Sequence, residues 1–291
     1  MGMNIQKPLI SIITVNFHQA AVTVDLLHSI EKNSYKNVEV IVVDNGSLED
    51  CSAVFRKAYP SVKTLVSAEN LGFAGGNNLG IAAATGDYLF FINNDTILTD
   101  GLIESLLSRF STDSNIGAVS PKIRYYDNPN VIQYAGFTEM NSLTGRNVAI
   151  GKNETDKGQH DTAYATAYAH GAAMMVSREV IDYVGDMPED FFLYYEELDW
   201  CAQIRRAGFS IWYEPAGLIY HKESAAVGKM SPLKIYYITR NRLLFMRRNV
   251  SGWRLATFLT YFYSITVPVK SVSFLLRQQF SLFLPFLRAC L

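Results

Sequence analysis

The first hundred residues alternate short, β-rich apolar runs with stretches of helical spacing: LISIITV (9–15), a helix over 20–32, EVIVVD (39–44), a helix over 49–58, VKTLVS (62–67), a helix over 75–84, and DYLFFIN (87–93). Few architectures accept that order. It predicts a mostly parallel sheet with helices on both faces. The strands are apolar throughout, as strands covered on both sides must be, and do not alternate in and out. Ligands of such sheets bind beyond the carboxyl ends of the strands. Those ends read Asn16, Asp44, Asn70 and Asn93 to Asp95, polar residues that a buried strand does not need in order to fold.

The remaining chain is less regular. A helix is expected over 101–110, with strands near 116–124 and 131–139. The polar, Gly-containing stretch 145–162 reads as a mobile loop able to close over a ligand. An apolar strand and short helix follow over 172–184, then a helix over 195–207, strands FSIWYEP (209–215) and GLIYH (217–221), and a helix over 231–249. With 291 residues, 49% of them apolar, the chain can bury one large core. We divide it into a domain over 1–250 and a helical extension over 251–291. The three cysteines are scattered and form no CxxC pair, which argues against a disulfide framework or zinc knuckle and fits a reducing, cytoplasmic compartment.

Several segments carry candidate chemistry. In VVDNGS (42–47), Asp44 can accept a hydrogen bond from a ribose or base while Gly46 turns the chain, although a plain Asx turn explains the same residues. The glycines of ENLGFAGGNNLG (69–80) can bring backbone close to a diphosphate, or simply form a flexible turn. FFINNDT (90–96) ends a buried strand in Asn93, Asn94 and Asp95, which suits an oxygen-ligated divalent cation, and Asp95 alone would also serve as a helix cap. YYEELDW (194–200) places Glu196, Glu197 and Asp199 in a first helical turn, where acids also gather for the helix dipole.

Taken in order, SIITVNF, VIVVDNGS, NLGFAGGNN, GDYLFFINNDT, AHGAAMMVSREV, DFFLYYEELDWCAQIRRAGF, the strand to His221 and ITRNRLLFMRRN resemble the family-2 glycosyltransferases, in particular their bacterial rhamnosyltransferase-like branch. The resemblance spans residues 9–249. It implies the GT-A fold, a Rossmann-like α/β nucleotide-diphospho-sugar transferase fold with a mostly parallel central sheet, here carrying a C-terminal helical extension. It implies inverting transfer of a sugar from a nucleotide diphosphate donor, such as dTDP-rhamnose or a UDP-hexose, to a glycan or lipid-linked acceptor.

By the same resemblance Thr14, Val15, Asn16 and Asp44 would hold the pyrimidine nucleoside, while Asn70, Gly75 and Asn77 would line the nucleotide sugar with Asn93 and Asn94. Asp95 corresponds to the metal-binding carboxylate of the family's DXD motif, whose first Asp is Asn93 here, and His221 is a second ligand for a divalent cation (Mn or Mg). Glu197 is the expected catalytic base and Glu196 its alternate. Asp199, Trp200, His170 and Arg240, with Asn241 beside it, would face the acceptor or a phosphate, although Asp199 would equally fix a helix, His170 pack in the core and Arg240 sit on a solvated helix face.

All 27 acidic residues lie at or before Glu223, whereas ten of the 26 Lys and Arg follow it. Residues 253–291 are also strongly apolar and aromatic. The uncharged run from Leu255 to Val269 is shorter than a spanning helix requires, and Pro268 interrupts it. An interfacial helix pair on an anionic membrane surface is therefore expected, peripheral on the inner face. The alternatives are packing on the catalytic domain, or a homodimer in which the tail packs on a second subunit. No nucleic-acid reader motif accompanies the charge. A non-catalytic, membrane-bound nucleotide-sugar binding protein stands as the competing function, because Asn93 and Glu197 depart from the family pattern.

Overall fold

The computed structural model describes residues 7–222 and 231–291, so the segment that follows Lys222 lies outside it. The strand and helix order of the first half is as expected: β1 (Ile10–Asn16), α1 (Ala20–Lys32), β2 (Val38–Asn45), α2 (Ser52–Ala58), β3 (Lys63–Ser67), α3 (Gly72–Ala83) and β4 (Tyr88–Ile92). Then come β5 (Thr96–Leu98), α4 (Leu102–Phe110), β6 (Ile116–Tyr125), β7 (Ile132–Tyr134), β8 (Tyr164–Ala165), β9 (Ala173–Ser177), α5 (Arg178–Val184), α6 (Glu196–Arg206) and β10 (Ser210–His221).

The sheet runs β3-β2-β1-β4-β9-β6-β10-β5. Strands β1 to β4 pair in parallel. Strand β9 is antiparallel to both β4 and β6, which returns β6 and its parallel neighbour β10 to the direction of β1. The carboxyl ends of β1, β2, β4, β6 and β10 and the amino end of β9 therefore share one edge. Alternate strand residues feed separate cores. Ile13, Ile41, Phe91 and Val176 pack under α3, α5 and α6, whereas Ile12, Val42, Phe90 and Met175 pack under α1, α2 and α4. Both faces being covered explains why the strand sequences do not alternate.

Three expectations change. The strands at 209–215 and 217–221 are a single strand, β10, whose register against β6 slips between Glu214 and Leu218. Pro215 lacks an N–H for the ladder, and a bulge is where it can sit. The expected strand at 131–139 shrinks to β7. The stretch 145–162, expected to move, is tied down: the buried Lys122 ammonium holds Asp156 at 3.0 Å and also Asp161, Arg124 pairs with Asp156, and the Tyr213 hydroxyl donates to the His160 carbonyl at 2.9 Å.

After β10 the chain forms α7 (Pro232–Asn249), α8 (Gly252–Leu276) and α9 (Phe280–Ala289). Pro268 does not interrupt α8. A π-helical turn at Phe262–Thr266 precedes it and widens the backbone where the proline ring would otherwise crowd the preceding turn. By length and composition α8 is long and apolar enough to cross a membrane. One side of it nevertheless docks on the body: Phe258, Phe262 and Phe274, with Leu282 and Phe286 of α9, join the cluster that holds Phe245 and Met246 of α7.

Candidate active site

At the shared sheet edge, polar strand ends are wired to one another. The Asn16 amide donates to Asp44 Oδ1 at 3.0 Å, the Thr23 hydroxyl donates to Asn16 Oδ1 at 2.9 Å, and the Asn94 amide donates to Thr23 Oγ1 at 3.0 Å. This chain of bonds runs from the end of β2 to the end of β4. Asp44 is 1% exposed, and its Oδ2 has no protein partner, nor does the buried Thr14 hydroxyl beneath it. A buried carboxylate oxygen left unpaired is costly. A ribose hydroxyl or base N–H would satisfy it.

The glycine-rich segment acts differently from expectation. The Asn45 side chain, which sequence reasoning passed over, accepts from Leu71 N at 3.0 Å and donates to Gly72 O at 2.9 Å and Asn70 Oδ1 at 3.2 Å, while Asn70 Oδ1 accepts from Gly72 N. Gly72 has φ +75°, and a Cβ there would collide with the Phe192 carbonyl, so this turn needs glycine. Gly76 and Gly80 bring α3 against Val15 and Ile13. Gly75 and Asn77 are buried inside this packing, Asn77 donating to the Phe73 carbonyl at 2.9 Å. Gly75 faces Leu71 and Glu189, and neither Gly75 nor Asn77 lines the cavity beyond β4.

Beyond β4 lies a cavity of about 380 Å³ whose lining includes Asn93, Asp95, His170, His221, Tyr194, Glu196 and Glu197. His221 ends β10. Its Nδ1 faces Gln133 Oε1 at 2.8 Å, and its Nε2 faces Asp95 Oδ1 at 3.0 Å. With its proton on Nδ1, the ring presents a lone pair beside a carboxylate. Two acceptors about 3 Å apart match neighbouring ligands of an octahedral cation with bonds of about 2.1 Å. Among the described residues no cluster of three metal-ligating side chains occurs. His170 is stacked on Phe137 at 5.7 Å, and its Nδ1 accepts from Ala172 N at 3.0 Å. Burial, helped by His221 and Lys152, drives its pKa down to about 3, so it stays neutral.

The same cavity is lined by two acids. Burial pushes both Glu196 and Glu197 above the usual carboxylate range, and the charge of Glu197 raises Glu196 further. Glu196 is 3% exposed, whereas Glu197 is half-buried and open to the cavity. Of the two, Glu196 is the harder to ionise, being the more deeply buried and facing the charge of Glu197.

The loop before these acids is strained: Phe192, Tyr194 and Tyr195 have φ of 64°, 69° and 77°, a region that non-glycine residues avoid. Asn241 of α7, itself fully buried, holds it there, its amide donating at 2.8 Å to each of the Phe191, Leu193 and Tyr194 carbonyls. Asn241→Ala is expected to lower stability by about 2–4 kcal/mol and kcat with it. A wild-type melting temperature and turnover would show that the loop stands without this clamp.

Three expected site residues point elsewhere. Trp200 is fully buried against Phe91, its indole N–H on the Gly185 carbonyl at 2.9 Å. Asp199, also fully buried, binds Gln203, Asn249 and Arg248 and fastens α6 to α7. Arg240 turns to the Asp190 carbonyl at 2.8 Å and to Asn241, bracing the same strained loop. The cations that do line the cavity are Lys152 and Lys234, with Gln133 beside His221.

The sequence model described as "Glycosyl transferase family 2" matches residues 11–185, well over half of the chain. The chain belongs to glycosyl transferase family 2. This glycosyltransferase is 24% identical over 250 residues to an N-acetylglucosaminyl-diphospho-decaprenol L-rhamnosyltransferase of Mycobacterium tuberculosis, covering 78% of this chain and 80% of that one. It is 26% identical over 234 residues to the dTDP-rhamnosyl transferase RfbF of Shigella flexneri, covering 74% and 72%. The family 2 chain is thus rhamnosyltransferase-like. Its GT-A fold is shared with a mannosyltransferase from Pyrobaculum calidifontis solved with GDP-Man and Mn2+, at a TM-score of 0.61 and 16% identity over 98% of this chain and 86% of the other.

Proposed function

We propose that this glycosyltransferase inverts the sugar it transfers, taking it from a nucleotide diphosphate donor to a hydroxyl of a glycan or lipid-linked acceptor. What carries the reading is one cavity lined by both the Asp95–His221 pair and the Glu196–Glu197 pair. The nucleoside would lie along β1 and β2, its polar edge satisfying Asp44 Oδ2, and the diphosphate would reach Asp95, with Lys152 and Lys234 nearby. A divalent cation on Asp95 and His221 would neutralise charge on the departing diphosphate.

Glu197 accepts the proton of the acceptor hydroxyl as its oxygen bonds to the anomeric carbon and the carbon–oxygen bond to the diphosphate breaks. Direct displacement of this kind inverts the anomeric centre. Tyr194, Leu193 and Phe73 wall the cavity and limit water access. The acceptor hydroxyl must approach from the Glu197 side, opposite the diphosphate.

The printed names of the rhamnosyl relatives make a deoxythymidine diphosphate sugar the first donor to test, with UDP-hexoses as the comparison set. Release of nucleotide diphosphate across that set, with and without manganese, identifies the donor, and the anomeric configuration of the product tests inversion. A retained configuration, or binding of every donor without turnover, would overturn the proposal.

A pH dependence follows from the raised Glu197. The base must be ionised, so kcat/KM falls as pH drops through its pKa, and the acid limb should lie above the ordinary glutamate value of about 4.3. A profile flat down to pH 4.5 would remove Glu197 from the role.

The tail fits peripheral membrane attachment. Helix α8 buries one side on the protein and exposes Ile265, Val269, Val272 and Leu276 on the other. Helix α8 is anchored to the domain through Phe258, Phe262 and Phe274 while most of its surface is open, and such an anchored apolar helix can enter the headgroup boundary.

A further inference from the structure

The tail encloses a second cleft, of about 300 Å³, between α7, α8, α9 and residues 146–147. Three cations line it, Arg146, Arg242 of α7 and Lys270 of α8. Arg242 is 6% exposed, its Nε has no hydrogen-bond partner, and its guanidinium lies over the Phe262 ring at 4.7 Å. The Asn147 amide nitrogen is likewise buried and unpartnered. Among the described residues no salt bridge involves any of the three cations. The three helices that line it can supply no acid, since none occurs after Glu223. A buried guanidinium with no counter-charge is costly unless an anion arrives from outside.

Ile235, Ile238, Phe274 and Phe286 give the cleft an apolar part beside the Thr239 and Thr266 hydroxyls, and Lys270 and Phe274 bring it to α8, which also carries the exposed aliphatic row. Its inner end is closed by Tyr195, whose hydroxyl donates to the Gly145 carbonyl at 3.2 Å and whose next residue in the chain is Glu196. An anion bound here sits between an apolar surface and the catalytic acids.

We propose that this cleft binds the phosphate or diphosphate of a lipid-linked acceptor. Arg242 is the inner anchor, with its planar fork matched to phosphate oxygens, and Arg146 and Lys270 close on the anion from the mouth. The lipid chain lies along the exposed face of α8, and the attached sugar passes Tyr195 toward Glu197. The sugar end of this assignment rests on the glycosyltransferase mechanism proposed above. The phosphate end rests only on the cleft.

The test uses the full-length protein and phosphatidylcholine vesicles carrying a long-chain isoprenyl monophosphate. Parallel arms carry phosphatidylglycerol at equal charge, or plain vesicles with inorganic pyrophosphate. Sedimentation should favour the isoprenyl phosphate vesicles over the phosphatidylglycerol vesicles by roughly tenfold. Arg242→Met should weaken that binding by roughly 30-fold or more, without a lower melting temperature, because it removes an unpaired buried charge and keeps the apolar stem. Lys270→Glu, at an exposed position where folding is not at stake, should weaken it in the same direction. Wild-type binding in both variants, equal binding to phosphatidylglycerol, or Arg242-dependent binding of pyrophosphate with no preference for the isoprenyl lipid would overturn the proposal. Calorimetry with nucleotide diphosphates on the wild-type protein reports separately on the transferase mechanism: no binding there, with lipid selectivity intact, would sink that reading and leave the cleft.

Discussion

Glu197→Gln should cut the transfer rate by about 10²–10⁴-fold, the range that a positioned general base contributes, while donor affinity stays at the wild-type value. The amide keeps the shape of the side chain and cannot take the acceptor proton. It also relieves Glu196 of a neighbouring charge, so the fold should be no less stable. Single-turnover transfer and calorimetric titration of the donor separate the two effects. Normal turnover in the variant would end the assignment, and a loss shared equally by donor binding would mean that the residue shapes the pocket and does not act on the acceptor.

Asp95→Ala should be nearly as damaging for a different reason. It removes the carboxylate that faces His221 at 3.0 Å, and with it one of two protein groups able to hold a cation against the diphosphate. Loss of such charge stabilisation costs about 10²–10³-fold or more in kcat. The same variant should lose the extra thermal stability that donor and manganese together confer on the wild-type protein. That gain amounts to about 2.7 kcal/mol at a hundredfold excess over Kd. Manganese-dependent stabilisation that survives in Asp95→Ala would move the cation elsewhere.

Much of the donor side was legible in the sequence because strand ends are fixed by local pattern. Asn16, Asp44, Asn94 and Asp95 each follow an apolar run, and a parallel sheet must bring such ends together. His170, His221, Glu196 and Glu197 were identified by resemblance, and all four meet at the cavity. The partners that orient them were harder to see. Gln133 and Lys152 belong to the irregular region between β6 and β9, where no hydrophobic period marks direction, and Thr23 looks like any helix residue until Asn16 and Asn94 are found on either side of it.

The misplacements on α6 and α3 have a geometric cause. Two positions on from Glu197, Asp199 lies near the opposite side of a 3.6-residue helix and meets α7. Trp200 follows Glu196 by one turn and falls deeper into the core. Gly76 and Gly80 have the same composition in a phosphate loop and in a close helix contact, and only the distance to Val15 and Ile13 separates the two.

The topology also bears on how the molecule can be made. Strands β1 to β4 pair among themselves and can assemble while the rest is still emerging from the ribosome. Asp95 then waits 126 residues for His221, and the loop before Glu196 is secured only when Asn241 arrives. Contacts this distant in sequence form late. The growing chain can therefore pair its first four strands long before the cavity that holds Asp95, His221, Glu196 and Glu197 can close.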